Sequence, residues 1–149
     1  MSDLRSRALA LLARREHTRA ELTRKLASYG TPEEIDALIA DLQSSHLQSD
    51  ARFAEAFLRS KAGRLGPARL RQELRQKGVD AATLADGLAA ADLPDELAQA
   101  RIVWAKKFSA APGDAKEWAR QARFLQARGF SSEIIRRLLK RGLPAEGEE

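Results

Sequence analysis

The sequence contains no cysteine, and it has only two histidines and eight aromatic residues in 149. Without cysteine there are neither disulfide bonds nor thiolate metal ligands. The chain also lacks a GxxxxGK[ST] phosphate-binding loop. His17 and His46 flank helix ends in polar segments, so we expect them to be exposed or locally hydrogen-bonded rather than catalytic. These absences predict a protein that is not an enzyme, with no catalytic residue, no metal and no cofactor.

Long apolar runs are also missing. No run approaches the length needed to cross a membrane, and the N-terminal segment MSDLRSRALALLARRE is interrupted too often by charge for a signal peptide. The lack of cysteine is compatible with a reducing compartment. We therefore expect a soluble, cytoplasmic protein.

Residues with branched β-carbons are scarce, whereas helix-forming residues are abundant. Valine and isoleucine together supply seven residues, and alanine and leucine supply 49. Branched side chains favour pleated sheets, and alanine and leucine favour helices. The composition therefore predicts an all-α fold.

The clearest local pattern is a helix, a stop and a second helix between residues 66 and 88. Pro67 suits the first turn of a helix, because its fixed φ is already helical. Gly78 can adopt a positive φ and end that helix, and Asp80 can cap the next one. The two apolar stripes are formed by Leu70 and Leu74, and by Leu84 and Leu88.

Similar signals divide the rest of the chain into seven more helices. The first is expected from about Asp3 to Glu16, and the seventh from about Asp95 to Phe108. Helix starts are predicted at Thr18, Thr31, Asp50, Asp114 and Ser131, the first two as capping boxes, and stops at Gly30 and Gly129. We also expect Tyr29 and Leu47 to point inward. The other predicted inward residues are Leu4, Ala8, Leu11, Leu12, Leu22, Leu26, Ile35, Leu38, Ile39, Leu42, Phe53, Ala54, Phe57, Leu58, Leu97, Arg101, Trp104, Phe108, Trp118, Ala122, Leu125, Ile134, Ile135, Leu138 and Leu139.

The helix stops recur at a regular interval. Leu26, Leu74 and Leu125 each lie four residues before a glycine, at positions 30, 78 and 129, so the glycines are 48 and 51 residues apart. Periods of this size are typical of stacked repeats. The pattern predicts nine helices as three tandem three-helix repeats, at 1–50, 51–94 and 95–143, forming an elongated curved stack. Residues 144–149 are expected to be an acidic tail.

Positive charge recurs once in each predicted repeat. The net charge is +5, with +4 in residues 1–30, +6 in 51–78 and +8 in 101–145, and acidic segments between them. Such rows fit phosphates or an acidic protein surface, although a solvated surface is the simpler explanation for any single arginine. The candidate partner-facing or DNA-facing residues are Arg14, Arg15, Arg19, Arg24, Lys25, Arg64, Arg69, Arg71, Arg75, Lys77, Lys106, Lys107, Lys116, Arg120, Arg123, Arg136, Arg137, Lys140 and Arg141.

The sequence gives little support to two other kinds of site, a metal site and a surface that stacks on nucleic-acid bases. Carboxylates on helices three and six lack the dense Asp/Asn ladder of a calcium loop, so they are most simply one solvated acidic face. Recognition of bases by stacking would need exposed aromatic side chains, but Phe53, Phe57, Trp104, Phe108 and Trp118 all fall at core spacing.

The segment SDARFAEAFLRSKAGRLGPARLRQELRQKGVD resembles the RecX family of bacterial regulatory proteins. It is flanked by ALALLARREHTRAELTRKL before it and by KKF and FLQARGFSSEIIRRLL after it, so the resemblance covers about Ala8 to Leu139. Its most specific part is the RFAEAF helix followed by GxxRLRQEL and KGV.

The resemblance implies tandem three-helix repeats and a negative regulator of the RecA recombinase. Members of the family lie in the groove of the RecA filament on DNA and slow its ATP hydrolysis, strand exchange and coprotease activity. The implied partner is the RecA nucleoprotein filament, bound by what is expected to be a monomer, with weak, salt-sensitive DNA binding as an accessory property. The alternative is a basic helical-repeat protein whose function is to bind nucleic acid directly.

Overall fold

The computed structural model describes residues 2–140, with side chains from Asp3 to Leu139. These residues form nine α-helices and no strand, which confirms the all-α prediction. No helix in this part of the chain is both long and apolar enough to cross a membrane. The helices are α1 (Ser2–Arg14), α2 (Arg19–Leu26), α3 (Pro32–Ser44), α4 (Asp50–Lys61), α5 (Pro67–Gln76), α6 (Ala81–Ala91), α7 (Glu96–Lys107), α8 (Ala115–Ala127) and α9 (Ser132–Lys140).

The described residues divide into two compact units. The first comprises residues 2–58 and 73–91, and the second comprises 59–72 and 92–140. Helices α1, α2 and α3 enclose a core in the first unit, formed by Ala8, Leu22, Leu26, Ile35, Ile39 and Leu42. Helices α7, α8 and α9 enclose a core in the second, formed by Ala100, Val103, Leu125, Phe130, Ile134, Ile135 and Leu139. Both cores follow from apolar residues spaced three and four apart.

Side-chain caps start most of the helices where the sequence predicts them. At Thr18 and Thr31 the threonine side-chain oxygen accepts from the amide three residues later. The side chain of the glutamate at that position accepts from the amide of the threonine. The other confirmed caps are Asp80, Asp114 and Ser131. The prediction that Asp50 caps α4 is wrong, because Ser49 Oγ accepts from the Arg52 amide at 3.0 Å. The Asp50 carboxylate instead accepts from the Arg19 amide at 2.8 Å.

Two of the three predicted glycine stops have a left-handed backbone. Gly78 has φ of 93° and Gly129 has φ of 101°, and each ends its helix in the same way. Val79 donates to the Leu74 carbonyl and Phe130 to the Leu125 carbonyl, the six-residue bond of a Schellman motif. Gly30 does not share this conformation. The prediction that Gly30 stops α2 as the others do is wrong, because α2 ends at Leu26.

Each left-handed glycine packs against the first turn of an earlier helix. We call this arrangement a joint. In the first unit the end of α5 meets the start of α2: Thr18 Oγ1 donates to the Lys77 carbonyl at 2.7 Å, and a Cβ on Gly78 would overlap Ala20. In the second unit the end of α8 meets the start of α5. There the Gly66 amide donates to the Arg128 carbonyl at 2.6 Å.

Three residues that were predicted to point inward, Tyr29, Leu47 and Arg101, are exposed. Leu47 is 43% exposed and Tyr29 is 48% exposed. His46 follows α3 with φ of 63°, and this left-handed turn leaves Leu47 outside and Gln48 buried. Gln48 Nε2 donates to the His17 carbonyl and to Asp50, both at 3.0 Å. Tyr29 lies beyond the end of α2, and its ring is covered by the Arg7 guanidinium at 3.8 Å.

Candidate partner-binding surface

About half of the candidate basic residues are exposed, and their side chains have no hydrogen bond, ion pair or ring contact with other described residues. These side chains carry charge that a partner can neutralise without breaking an internal bond. Lys140 has no described side chain, and Arg141 lies outside the described residues. The unpaired candidates are Arg14, Arg24, Arg64, Arg71, Arg75, Lys116, Arg123, Arg136 and Arg137.

The other candidates make internal contacts. Arg69 Nη1 donates to the Ala127 carbonyl at 2.8 Å, and Lys106 Nζ donates to the Gly63 carbonyl at 3.0 Å. Arg120 holds the Glu117 carboxylate through two bonds of 2.9 Å. With a further bond from Gln121, it lowers the pKa of Glu117 to about 2. The remaining candidates in this group are Arg15, Arg19, Lys25, Lys77 and Lys107.

Helix α5 separates its apolar and basic faces sharply. Leu70 and Leu74 have no exposed surface, whereas Arg71 and Arg75 are exposed and lie one turn apart. Residues four apart on a helix lie on the same face. Arg71 and Arg75 therefore present two adjacent guanidinium groups whose removal disturbs neither buried leucine.

A network of buried polar side chains surrounds the start of α2, and apart from the capping box at Thr18 the sequence patterns gave no signal for it. Glu21 is only 4% exposed, and its carboxylate accepts from the Thr18 amide at 3.1 Å and from Arg15 at 3.2 Å. Lys77 Nζ lies 3.9 Å from Oε2 of the Glu21 carboxylate. Burial alone would raise the pKa of Glu21, but the bonds from Arg15 and Thr18 outweigh it and leave the pKa below its usual value.

His17 is buried beside this network. Its Nδ1 lies 3.0 Å from the Arg15 carbonyl and its Nε2 lies 3.1 Å from Lys25 Nζ. A carbonyl only accepts and an ammonium only donates, so we assign the proton to Nδ1 and the free lone pair to Nε2. This geometry requires the neutral ring. Burial lowers the pKa of His17 from 6.5; the Arg15 and Lys25 charges add to that effect, and the bond to the Arg15 carbonyl and the Glu21 charge oppose it.

The lowered pKa of His17 makes stability depend on pH. The unfolded chain takes up a proton near pH 6.5, but the folded chain resists it, so this contribution to stability is complete above pH 6.5 and is lost as the pH falls below it. We expect the free energy of unfolding to fall between pH 7.5 and 5, with a His17 contribution no steeper than about 1.4 kcal/mol per pH unit.

Urea denaturation at several pH values measures this slope. His17→Gln should flatten it, because glutamine does not take up a proton. If the free energy of unfolding depends on pH as steeply in His17→Gln as in the unchanged chain, the assignment of this pH dependence to His17 is wrong.

The acidic residues form no obvious metal site. Among residues 3–139, no group of three or more His, Asp or Glu side chains is placed to hold a metal ion. The hypothetical hard-cation site on α3 and α6 therefore receives no support from the described residues.

Comparisons with known proteins all find the same family, and the matches extend over nearly the whole chain. Family models described as the first, second and third three-helix domains of RecX match residues 5–42, 49–88 and 94–139. A protein named Regulatory protein RecX from Chromobacterium violaceum is 48% identical over 141 residues, covering 94% of this chain and 91% of the relative. One of the same name from Leptothrix cholodnii is 48% identical over 139 residues, covering 93% and 88%.

Solved structures show the same fold. The chain is similar to a crystal structure of regulatory protein RecX with a TM-score of 0.77 and 25% identity, covering 94% of this chain and 72% of that one. It is also similar to the crystal structure of RecX from Lactobacillus salivarius, with a TM-score of 0.75 and 23% identity, covering 94% of both chains. With three matching domain models and relatives of this identity, the chain belongs to the RecX family.

Proposed function

We propose that this protein is a non-enzymatic negative regulator of the RecA recombinase. It binds in the groove of the RecA filament on DNA and inhibits ATP hydrolysis, strand exchange and coprotease activity. It acts in the cytoplasm as a monomer of three repeats, at 1–50, 51–94 and 95–143. The observation that carries this proposal is the 48% identity, over more than nine-tenths of the chain, to relatives named as regulatory proteins.

The exposed face of α5 is the part of the surface that we assign to the filament. Arg71 and Arg75 have no partner among the described residues. Guanidinium groups pair well with carboxylates and with phosphates, and a RecA filament on DNA offers both. A partner can therefore contact these two guanidinium groups and exclude water from them without breaking a side-chain bond within the chain.

The direct test is a RecA ATP-hydrolysis assay on single-stranded DNA with increasing amounts of the purified protein. Inhibition at or below one molecule per RecA protomer supports the proposal. If the protein binds DNA tightly but leaves hydrolysis unchanged, regulation of RecA is the wrong function.

Changing Arg71 and Arg75 together to alanine should weaken inhibition without unfolding the chain. Both side chains are exposed, and alanine is a better helix former than arginine. Losing two charge-assisted contacts should raise the concentration needed for half-inhibition by about tenfold or more. The matched control is Gln72→Ala with Gln76→Ala, which changes two exposed neutral residues at the same spacing on α5. Equal loss in both double variants contradicts a role for charge.

The second candidate function is direct binding of nucleic acid. Unpaired basic residues in all three family-matched segments, including Arg24, Arg71 and Arg123, favour it. For single-stranded DNA, losing two phosphate contacts lowers the salt slope by about 0.7 per contact. If Arg71→Ala with Arg75→Ala weakens DNA binding while inhibition is unchanged, these arginines serve only accessory DNA contacts.

A further inference from the structure

A basic pocket lies in the first compact unit, between the end of α1 and the last turn of α2. Its volume is about 310 Å³, and it is lined by Leu11, Arg14, Arg15, His17 and Lys25. Three of these five side chains carry a positive charge. No carboxylate is among the described residues that line it.

The charges in this pocket are only partly neutralised. Arg15 donates to Glu21 at 3.2 Å, but Arg14 and Lys25 have no carboxylate partner among the described residues. Glu21 is itself occupied by the Thr18 amide, Arg15 and Lys77. The nearest acid therefore balances one of the three cations, and the pocket keeps a positive charge.

Two of the three cations of the pocket, Arg15 and Lys25, are held in place before any ligand arrives. Arg15 Nη1 donates to the Glu16 carbonyl at 2.7 Å, which fixes its guanidinium. His17 is 2% exposed, and its Nε2 accepts from Lys25 at 3.1 Å, which fixes the ammonium. A lysine ammonium has three donors, so Lys25 keeps two for a ligand. Donors that are already positioned lose little freedom on binding.

Helix polarity explains only part of this arrangement. The carboxyl end of α1 favours cations, which accounts for Arg14 and Arg15. Lys25 lies in the last turn of α2, where the same polarity favours a cation, but polarity does not explain why Lys25 meets Arg14 and Arg15 in one pocket. Convergence of cations from two helices on one concavity is typical of an anion site.

We propose that this pocket binds a phosphate group, with Arg14 and Lys25 as its principal donors. Arginine and lysine are the side chains that most often pair with phosphate, and the pocket is large enough for a phosphate and its adjoining atoms. The group can come from a free phosphate compound or from the backbone of a nucleic acid. The site does not depend on the function proposed above and is testable without RecA.

The experiment uses histidine ring signals in NMR spectra of the full chain at pH 7.5. The chain has only two histidines, so His17 reports on the pocket and His46, which is exposed and does not line it, is the internal reference. The probes are inorganic phosphate, pyrophosphate, a short oligothymidylate with no terminal phosphate, and a glutamate hexapeptide. Saturable shifts of His17 with any phosphate probe support the site. A response to the oligothymidylate identifies the nucleic-acid backbone as the source, and a response to phosphate or pyrophosphate alone identifies a free compound.

Two variants separate a built site from general attraction. Arg14→Ala should weaken phosphate binding by about tenfold, because it removes a charge-assisted bond. Arg24→Ala removes another exposed, unpaired arginine, which belongs to α2 and does not line the pocket, and it should change the affinity for inorganic phosphate by less than about twofold. Equal losses in both variants, no shift of His17, or a shift with the glutamate peptide alone would overturn the proposal.

Discussion

Replacing Gly129 with valine is expected to lower the free energy of unfolding by about 2–6 kcal/mol. Gly129 has φ of 101°, and a branched side chain in that conformation costs about 1–3 kcal/mol. A Cβ there would also lie 2.6 Å from the backbone nitrogen of Arg69, so the joint in the second unit must open. Overpacking of this kind costs about 1–3 kcal/mol more. Urea denaturation followed by circular dichroism measures the loss.

Gly113 provides the matched control. It is exposed, its φ is not positive, and a Cβ on it would meet nothing within 4 Å. Gly113→Val should therefore cost little. Gly78→Val should resemble Gly129→Val, because its φ is 93° and its Cβ would overlap Ala20. If Gly129→Val is no worse than Gly113→Val, the joint does not contribute to stability.

Thr18→Val is expected to lower the free energy of unfolding by about 1.5–5 kcal/mol. The Thr18 hydroxyl accepts from the Glu21 amide at 3.0 Å and donates to the Lys77 carbonyl at 2.7 Å. Losing a helix cap costs about 0.5–2 kcal/mol, and leaving the partly buried Lys77 carbonyl without its partner costs about 1–3 kcal/mol. Valine has nearly the same shape as threonine, so the change isolates the hydroxyl.

Thr31 separates the two contributions. It forms the same capping box at the start of α3, but it is exposed and its hydroxyl reaches no distant carbonyl. Thr31→Val should therefore cost only about 1 kcal/mol, measured by the same denaturation experiment. The excess cost at Thr18 is the contribution of its bond to Lys77. Equal losses at the two positions would mean that this bond contributes nothing.

The helix starts and two helix stops were predictable because they depend on residues close in sequence. Thr18 and Thr31 bond to amides three residues away. Gly78 and Gly129 end helices through bonds within six residues. Neighbours in the chain decide such contacts before any tertiary packing forms. The periodic leucines then place the core correctly.

The wrong predictions at Asp50 and Leu47 involve a distant partner and an unexpected turn. An aspartate such as Asp50 can cap a helix, but its carboxylate instead accepts a hydrogen bond from the Arg19 amide, 31 residues away. Leu47 is exposed because His46 adopts a conformation that usually favours glycine, and Gln48 turns inward towards the His17 carbonyl. No local pattern contains these contacts.

The sequence predicted which basic residues could form the candidate surface, but not which of them are free to bind a partner. Sequence alone cannot distinguish Arg69, which donates to the Ala127 carbonyl, from Arg71, which is unpaired two residues later on the same helix. Likewise, Arg14 and Lys25 are eleven residues apart, and only the packing of α1 against α2 brings them into one pocket.

The two joints also bear on how α5 folds. At its start, the Gly66 and Ala68 amides donate to the carbonyls of Arg128 and Gly129 rather than to a side-chain cap. At its end, the Lys77 carbonyl accepts from Thr18. A ten-residue helix is marginal alone in water, and both ends of this one are satisfied by groups from α8 and α2. The stability of α5 thus depends on residues far earlier and far later in the chain, and it is complete only when the start of α2 and the end of α8 are folded as well.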